Sequence, residues 1–387
     1  MIWIAYFILA IFFAIQAFSL VSIVQQNDVK LKKRKVFPKV TILLAARNEE
    51  LLIIRSLEAM EKLNYPKDKI EILIGNDAST DNTSVLVKDF IKGKPHFKLF
   101  EIDKTLGNGR GKANVLGQLA QHATGDYYFI TDVDVKLPEN WILGLLQEFT
   151  KEVGIVSGTT KCERGGFFAT LQSLDWLHFM GYIKAFANIG VGCTSVGNNM
   201  AVRAEAYWQT GGFEKIDFSI TEDYKLFKEV TSRGWQWRTT MHEDTLGLAW
   251  YIPSIKEMLH QRKRWLIGAR ELPLNWKFML VLYGLFIPVL VYLFMVDVKL
   301  AMAIWFSKFL IQSFFIIFLC IGVKCRPFNY FHLIIYELYV LVNTVSTALF
   351  YWLPIKSVWK GREYNAEYLS AVDASPATEK KHDVECI

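Results

Sequence analysis

Two carboxylates one residue apart, Asp132 and Asp134, close the stretch Phe129-Ile-Thr-Asp-Val-Asp-Val135. Tyr127 to Ile130 reads as a short buried strand, and period-2 geometry points the two carboxylates the same way at its end, where open α/β sheets keep their ligands. Two hard oxygen ligands on one edge suit Mg²⁺ or Mn²⁺, and such a cation in turn suits a diphosphate. Asp-Val-Asp is also an ordinary polar strand end, so its meaning rests on what accompanies it. Asp77 follows the apolar run Ile70-Glu-Ile-Leu-Ile-Gly75 within Asn76-Asp-Ala-Ser-Thr-Asp81. Gly107-Asn-Gly-Arg-Gly-Lys112 is a glycine-rich loop whose backbone can approach phosphate, with Lys112 as a point charge, although it lacks P-loop spacing. Thr221-Glu222-Asp223 opens a helix with two carboxylates, a place that capping and the helix dipole also favour. Gln261-Arg262-Lys263-Arg264-Trp265 sets planar guanidinium forks, suited to bidentate phosphate contact, just before an apolar segment. The same basic run would also serve as juxtamembrane charge that fixes topology.

The elements that must position these groups alternate. Val40 to Ala46 reads as a fully buried first strand, stopping at Arg47-Asn48-Glu49-Glu50, and a helical pattern through Leu51, Ile54, Leu57 and Met60 follows. The second strand is Ile70 to Gly75, leading through Ser79 to Asn82 into a helix with Val85 and Phe90. A third strand is predicted at Phe97 to Ile102 and a helix at Ala113 to Gln121. This β-α-β-α-β order, ending at Asp132 and Asp134, predicts an α/β fold with a doubly wound, Rossmann-like nucleotide-binding sheet. Beyond it, Leu171 to Phe186 is a helix apolar nearly all round, expected to pack in a core rather than touch lipid. Gly197-Asn-Asn-Met200 and Gly211-Gly-Phe213 are turn signals, and helices are expected through Leu226, Phe227 and Val230 and again from Ile255.

The 387 residues are 52% hydrophobic and 14% aromatic, and the mean hydropathy of +0.20 is high for a soluble enzyme. Ile2 to Val24 is long enough to span a bilayer and lacks the basic start and small-residue cleavage site of a signal peptide, so a retained anchor is expected. Lys30, Lys32, Lys33, Arg34 and Lys35 follow it, which predicts that side to be cytoplasmic and the N-terminus outside. The net charge of +6 therefore points to anionic headgroups and not to nucleic acid. Five cysteines without C-x-x-C or zinc spacing suit a reduced, cytoplasmic domain. Phe278 to Val296, Leu300 to Val323 and Phe331 to Leu353 are further spanning candidates, with Trp305, Tyr330, Trp352 and Trp359 at or near their ends. Four spans would return the C-terminal side to the outside, whereas Lys356, Lys360 and Arg362 prefer the cytoplasm, so one apolar segment is expected to be re-entrant or interfacial. The expected organisation is an anchor at 1–24, a basic linker at 25–37, a catalytic domain at 38–275, membrane segments at 276–355, and an interfacial segment with a disordered tail at 356–387.

Taken together in this order, Asp77, Asp132-x-Asp134, Thr221-Glu-Asp223 and Gln261-Arg-x-Arg-Trp265 resemble the membrane-bound, inverting family 2 glycosyltransferases of GT-A fold. That group includes cellulose, hyaluronan and poly-N-acetylglucosamine synthases and ceramide glucosyltransferase. The resemblance covers about residues 38 to 270. It implies that Ala46, Arg47, Asn48, Glu49 and Asp77 hold the uracil and ribose of a UDP-sugar, with Lys112 near the nucleotide. It further implies Asp132 and Asp134 at a Mg²⁺ or Mn²⁺ ion, with Asp134 the direct ligand, and Asp223 as catalytic base beside Glu222. Gln261, Arg262, Arg264 and Trp265 would close over diphosphate and acceptor. Two departures stand out. Asn76 occupies a place where many relatives have Asp, and Thr194-Ser-Val-Gly-Asn-Asn199 keeps the glycine but not the aromatics of the polymer synthases' acceptor motif. With only one span before the domain, these favour a non-processive enzyme acting on a lipid or lipid-linked acceptor over a processive polysaccharide synthase. A non-catalytic nucleotide-binding scaffold is a third reading, disfavoured by the presence of Asp223 and Arg264, and a dehydrogenase is excluded by the missing G-x-G-x-x-G.

Overall fold

In the computed structural model, which describes residues 2–25, 31, 35–163, 165–325, 329–359 and 362–364, the alternating half forms as its apolar pattern dictates. After helix α1 (Ile2–Val24) come β1 (Val40–Ala46), α2 (Ile53–Glu61), β2 (Ile70–Asn76), α3 (Thr83–Phe90), β3 (Phe97–Glu101), α4 (Lys112–His122) and β4 (Tyr127–Asp132). These strands pair parallel in the order β3-β2-β1-β4. Both faces are covered. Ile42, Leu44 and Ile72 face one core, and Leu43, Leu73 and Ile130 face the other, which is why β1 and β2 read as unbroken apolar runs rather than alternating ones. Each such side chain contributes about 1.5–3 kcal/mol by leaving water. The register sets Ala46 opposite Asn76 and Ala45 opposite Asp132, so three strand ends lie abreast.

The second half extends this sheet. It runs through β5 (Val135–Lys136), α5 (Trp141–Leu146), β6 (Val153–Ser157), β7 (Thr159–Cys162), α6 (Phe167–Ala187) and β8 (Asn199–Arg203). Then follow α7 (Ala204–Gln209), α8 (Gly212–Lys215), α9 (Glu222–Ser232), β9 (Gln236–Thr239), β10 (Leu246–Ala249) and α10 (Ile255–Gly268). Strand β8 joins β4 antiparallel with Asn199 opposite Thr131, and β6 and β9 complete seven strands in the order β3-β2-β1-β4-β8-β6-β9. A second sheet, β5-β10-β7, lies beside it. Asn199 fixes the junction. Its amide donates to the carbonyls of Thr159 (2.8 Å) and Thr245 (2.9 Å), and its Oδ1 accepts from Trp141 Nε1 (2.8 Å).

The chain continues into α11 (Leu274–Val296), α12 (Val298–Gly322) and α13 (Phe331–Trp352), followed by the antiparallel pair β11 (Ser357–Trp359) and β12 (Arg362–Tyr364). Among the described residues, α1, α11, α12 and α13 are long and apolar enough to cross a membrane. Helix α6 is buried, as expected, but its partners are not only the sheet. Ser22 and Gln16 of α1, Leu319 of α12 and Tyr336 of α13 touch it on one side, which explains a helix that is apolar nearly all round. The expected tail from Ser370 onward lies outside the described residues, as do most of the basic residues after α1.

Candidate active site

The ends of β1 and β2 turn into two loops that hold each other. Arg47 Nη1 donates to the Asp77 carbonyl (2.7 Å), and the Asp77 amide donates to the Ala46 carbonyl (2.8 Å). The Asn48 amide donates to Ser79 Oγ (3.0 Å), while Asn48 Oδ1 accepts from the Thr80 amide (2.9 Å). The Glu49 amide donates to Thr83 Oγ1 (2.8 Å), and Asn82 donates to Glu50. Both loops hold one residue in the left-handed region, Asn48 at φ 51° and Ala78 at φ 50°. Asparagine tolerates that conformation, whereas alanine pays a steric cost of about 1–2 kcal/mol that the cross-loop bonds must offset. Asn76 bridges its loop and β3: its Oδ1 accepts from the Ser79 amide (3.3 Å). Its amide donates to Glu101 Oε2 (2.5 Å). With Ser84 and Lys88 adding hydrogen bonds that outweigh the effect of burial, Glu101 is held down at about 2.

At the end of β4 the balance is different. The strand stops at Asp132, and Val133-Asp134 form the turn into β5, so Asp134 lies near Asp132 through a turn and not through the strand alternation expected for it. The Asp134 carbonyl accepts from the Trp250 amide (2.8 Å) and from Arg55 Nη1 (3.3 Å). Arg55 is itself paired with Glu163 and lies over the Trp250 ring, 5.4 Å from its centroid. The Asp134 carboxyl is less well supported: the hydrogen bond that favours its charged form comes from its own backbone. Its Oδ1 is buried without a hydrogen-bond partner, and burial together with repulsion from Asp132 raises its pKa to about 7, despite the opposing pull of Lys112 and Arg55. Asp132 is answered by Lys112, whose Nζ stands 2.6 Å from Asp132 Oδ1, 3.1 Å from Glu222 Oε1 and 3.0 Å from the Gly197 carbonyl. Burial alone would lower Lys112, but Asp132 and Glu222 outweigh it and keep the ammonium firmly protonated.

Asp223 completes the cluster. Its Oδ2 accepts from the Gly197 amide (2.7 Å) and its Oδ1 from its neighbour Tyr224 (2.8 Å). Burial first, and then repulsion from Glu222, raise its pKa to about 6, with Lys112 and the two amides opposing. Gly197 is required there: a Cβ would stand 2.9 Å from both the Cβ and Oδ2 of Asp223. One ammonium thus joins the Asp132-x-Asp134 turn, the start of α9 and the loop before β8. The chemistry available is a carboxylate base poised near neutrality, beside a paired-carboxylate site for a cation.

Helix α10 carries Gln261-Arg-Lys-Arg-Trp265. It starts at Ser254, whose hydroxyl accepts from the Glu257 amide, and its C-terminal end packs on Thr221, where a Cβ on Gly268 would lie 2.3 Å from Thr221 Cγ2. Gln261, Arg264 and Trp265 are half-buried on this helix. Arg262 is committed elsewhere. Its guanidinium pairs with Asp175 of α6 and lies 4.5 Å from the Trp265 ring centroid, and Trp265 meets Trp176 edge-on at 5.3 Å. Cys162 ends β7 and is buried. Burial pushes its thiol up to about 12, with Arg262 opposing and Asp175 and Asp134 adding to it.

The structure therefore gathers Lys112, Asp132, Asp134, Glu222 and Asp223, sets Ala46 to Glu49 and Asp77 on the adjoining strand ends, and does not bring Arg262 onto the carboxylates. Sequence reasoning missed Asp175, Arg55 and the tight role of Gly197. Asp175 had a signal, being the one acid in an otherwise apolar helix, whereas Arg55 stands in no motif. No group of three His, Cys, Asp or Glu that could hold a metal ion occurs among the described residues. An ion here would take two protein carboxylates and complete its shell from elsewhere.

This sheet, with acidic turns across the C-terminal ends of its parallel strands, is the nucleotide-binding architecture of GT-A glycosyltransferases. Mannosyltransferase PcManGT from Pyrobaculum calidifontis, solved in complex with GDP-Man and Mn²⁺, has the same fold, with a TM-score of 0.53 at 17% identity, over 90% of this chain and 97% of that one. The chain belongs to glycosyl transferase family 21, whose model matches residues 3–371. It is 29% identical over 259 residues to the probable glycosyltransferase YdaM of Bacillus subtilis (strain 168), covering 62% of this chain and 57% of that protein. It is 24% identical over 250 residues to a poly-beta-1,6-N-acetyl-D-glucosamine synthase of Staphylococcus epidermidis, covering 61% and 56%. The matched stretch is thus little more than half the length of these relatives. The resemblance to family 2-type glycosyltransferases read from the motifs is borne out.

Proposed function

We propose that this glycosyltransferase moves a sugar from a nucleotide-sugar donor, a UDP-sugar, to a hydroxyl of a membrane lipid or lipid-linked acceptor by a single inverting displacement. The observation that carries this is the bridge made by Lys112, which pairs with Asp132 and Glu222 and reaches the loop whose Gly197 amide holds Asp223. Donor-side and base-side groups are thereby within one cluster. Asp223, with a pKa raised to about 6, is ionised at neutral pH and basic enough to accept the acceptor's proton. The loops at Arg47 to Glu49 and Asp77 form a ready-made frame for a nucleoside. Asp132 and Asp134 are the residues that would hold Mg²⁺ or Mn²⁺, and the unpartnered, buried Asp134 Oδ1 fits that use. When bound, the cation neutralises charge developing on the leaving diphosphate. Arg264 would answer the same charge from α10 with a planar fork.

A membrane acceptor is supported by α6 and α10, which join the catalytic sheet to the apolar helices, and the basic residues after α1 favour a cytoplasmic catalytic domain in a multi-pass protein. A second reading, polymer synthesis, is favoured by the likeness to a poly-beta-1,6-N-acetyl-D-glucosamine synthase. Incubation of purified protein in lipid vesicles with radiolabelled UDP-glucose, UDP-galactose or UDP-N-acetylglucosamine and Mn²⁺ separates them. Label extracted into organic solvent supports the lipid acceptor, label in long water-soluble chains supports the polymer, and no metal-dependent transfer from any of these donors contradicts both.

A further inference from the structure

Helix α13 has the length and composition of a span, yet both its ends are fastened to elements of the catalytic domain. At its first turn the His332 ring lies 5.3 Å from Phe167, which opens α6. Along its length Tyr336 Oη meets His178 Nδ1 of α6 (3.1 Å), and Tyr339 Oη donates to Met258 Sδ of α10 (3.4 Å). At its last turn Lys263 Nζ of α10 donates to the carbonyls of Phe350 (3.3 Å) and Leu353 (2.6 Å), which closes the open C-terminal end of α13. A helix of 22 residues is about 33 Å long at 1.5 Å per residue. Set across a bilayer, it would carry one of these ends to the far side of the hydrocarbon core, out of reach of a lysine on α10.

The distribution of its side chains agrees. Leu333, Tyr336, Glu337 and Val340 form one buried face at helical spacing. The remaining surface exposes Ile334, Leu338, Leu341, Val342, Val345 and Leu349, all apolar. Tyr330 and Trp352, 72% and 83% exposed, flank the two ends as interfacial aromatics do. Glu337, the single acid of the helix, is enclosed by Lys308 of α12, 2.7 Å from both its oxygens, with Trp305 Nε1 and Gln312 Nε2 each at 2.9 Å. The lysine stem can lie along apolar surface while its head rises to that acid.

We propose that α13 does not cross the membrane but lies along the cytoplasmic leaflet, its exposed apolar face in the acyl chains of a lipid bilayer and its buried face bearing α6 and α10. Only α1, α11 and α12 then span. Helix α12 ends on the catalytic side, where Cys320 and Val323 pack with Met241 and Cys193 and Lys324 Nζ lies 2.7 Å from Glu243 Oε1. The described residues 329–356 stay on that side, and Lys356 falls in the cytoplasm, as the positive-inside rule requires. The segment carrying Gln261 to Trp265 rests, through Met258 and Lys263, on a helix embedded in the leaflet.

The test uses the full chain with Cys325 and Cys386 replaced by serine, carrying Asn329→Cys, Ser357→Cys or, as a catalytic-domain control, Lys98→Cys. A membrane-impermeant maleimide is applied to sealed inside-out and right-side-out vesicles. All three cysteines are expected to label in inside-out vesicles and to stay unlabelled in right-side-out ones until the membrane is opened. Labelling of Ser357→Cys from the face opposite Asn329→Cys overturns the proposal. A second measurement is independent of sidedness. Spin labels at positions 334, 341 and 349 are expected at one shallow depth by collision with oxygen against a nickel chelate, and a depth that passes through the bilayer centre at 341 contradicts it. Neither readout depends on transferase activity.

Discussion

At the ends of β1 and β2, the loop groups of Asn48, Glu49, Glu50, Asp77, Ser79 and Thr83 are bonded to one another across the two loops. At the end of β4, Lys112 must answer Asp132 and Glu222 together, Asp134 Oδ1 has no partner, and Asp223 is pushed towards neutrality. Apart from Arg47 Nε, which is buried without a hydrogen-bond partner, the first region is closed by its own hydrogen bonds, as a rigid frame for a flat, weakly charged nucleoside would be. The second holds buried charge that the protein alone does not satisfy, which is where a cation and a diphosphate would contribute most. Unmet electrostatic demand, more than sequence motif, is what singles out the β4 end as the one we propose to react.

The comparison breaks most sharply at Asp134. Asp134→Ala should cut transfer by about a thousand-fold, the scale of losing a group that stabilises transition-state charge, with melting temperature held or raised because an unsatisfied buried carboxyl is gone. Full turnover by this variant, or by the parent in excess chelator, would show that the β4 turn holds no essential cation. Next comes Gly197→Ala. The added methyl must displace Asp223, and a shift of the order of 1 Å in a catalytic group costs about a hundred-fold. A loss in kcat with donor affinity kept is expected; an unchanged kcat would mean that Asp223 need not sit where Gly197 allows it.

Glu222→Gln sharpens the picture without removing the base. Asp223 accepts a proton only when ionised, so the rate falls as pH drops through its pKa of about 6. Removing the charge of Glu222 takes away one of the effects that raise that pKa, so the acid limb of the kcat profile should move to lower pH. A limb that stays in place or moves up would assign it to another group. The smallest effect belongs to the other region. Asn76→Asp would set a second carboxylate against Glu101 and should cost about 1 kcal/mol in denaturant titration, with little change in kcat. A large loss of activity there would mean that position 76 faces the donor after all.

These contrasts also explain what the sequence could and could not reveal. The β1–β4 alternation was legible because strands covered on both faces are continuous apolar runs with acidic or polar ends. The Asp132-x-Asp134 and Thr221-Glu-Asp223 groups stood out because carboxylates at strand ends and helix starts are rare together. Their neighbourhood was not legible, since Lys112 reaches Glu222 only through the antiparallel insertion of β8 beside β4. Asn76 stood out only as a departure from the Asp of many relatives, and only the structure shows its amide donating to Glu101. For α6 the apolar pattern announced burial without naming the partner, because spanning helices and a sheet bury a helix equally well. Arg262 could not be separated from Arg264 by spacing alone; the choice was made by Asp175, a residue 87 positions away. The conflict between four apolar segments and a basic C-terminal stretch was visible, but which segment resolves it depends on Lys263 and His332, whose contacts no hydropathy pattern encodes.

The measurement that tests the central claim most directly is a paired titration of Asp223→Asn. Single-turnover transfer and calorimetric binding of UDP-sugar would be followed on the same preparation in lipid vesicles. Asparagine keeps the size of the side chain and an acceptor for the Gly197 amide, so the donor frame at β1 and β2 is untouched. The account predicts transfer lower by about two to four powers of ten, the range for a positioned general base, with donor affinity within a few-fold of the parent. Donor binding lost in step with turnover, or transfer that persists at the parental rate, would contradict it.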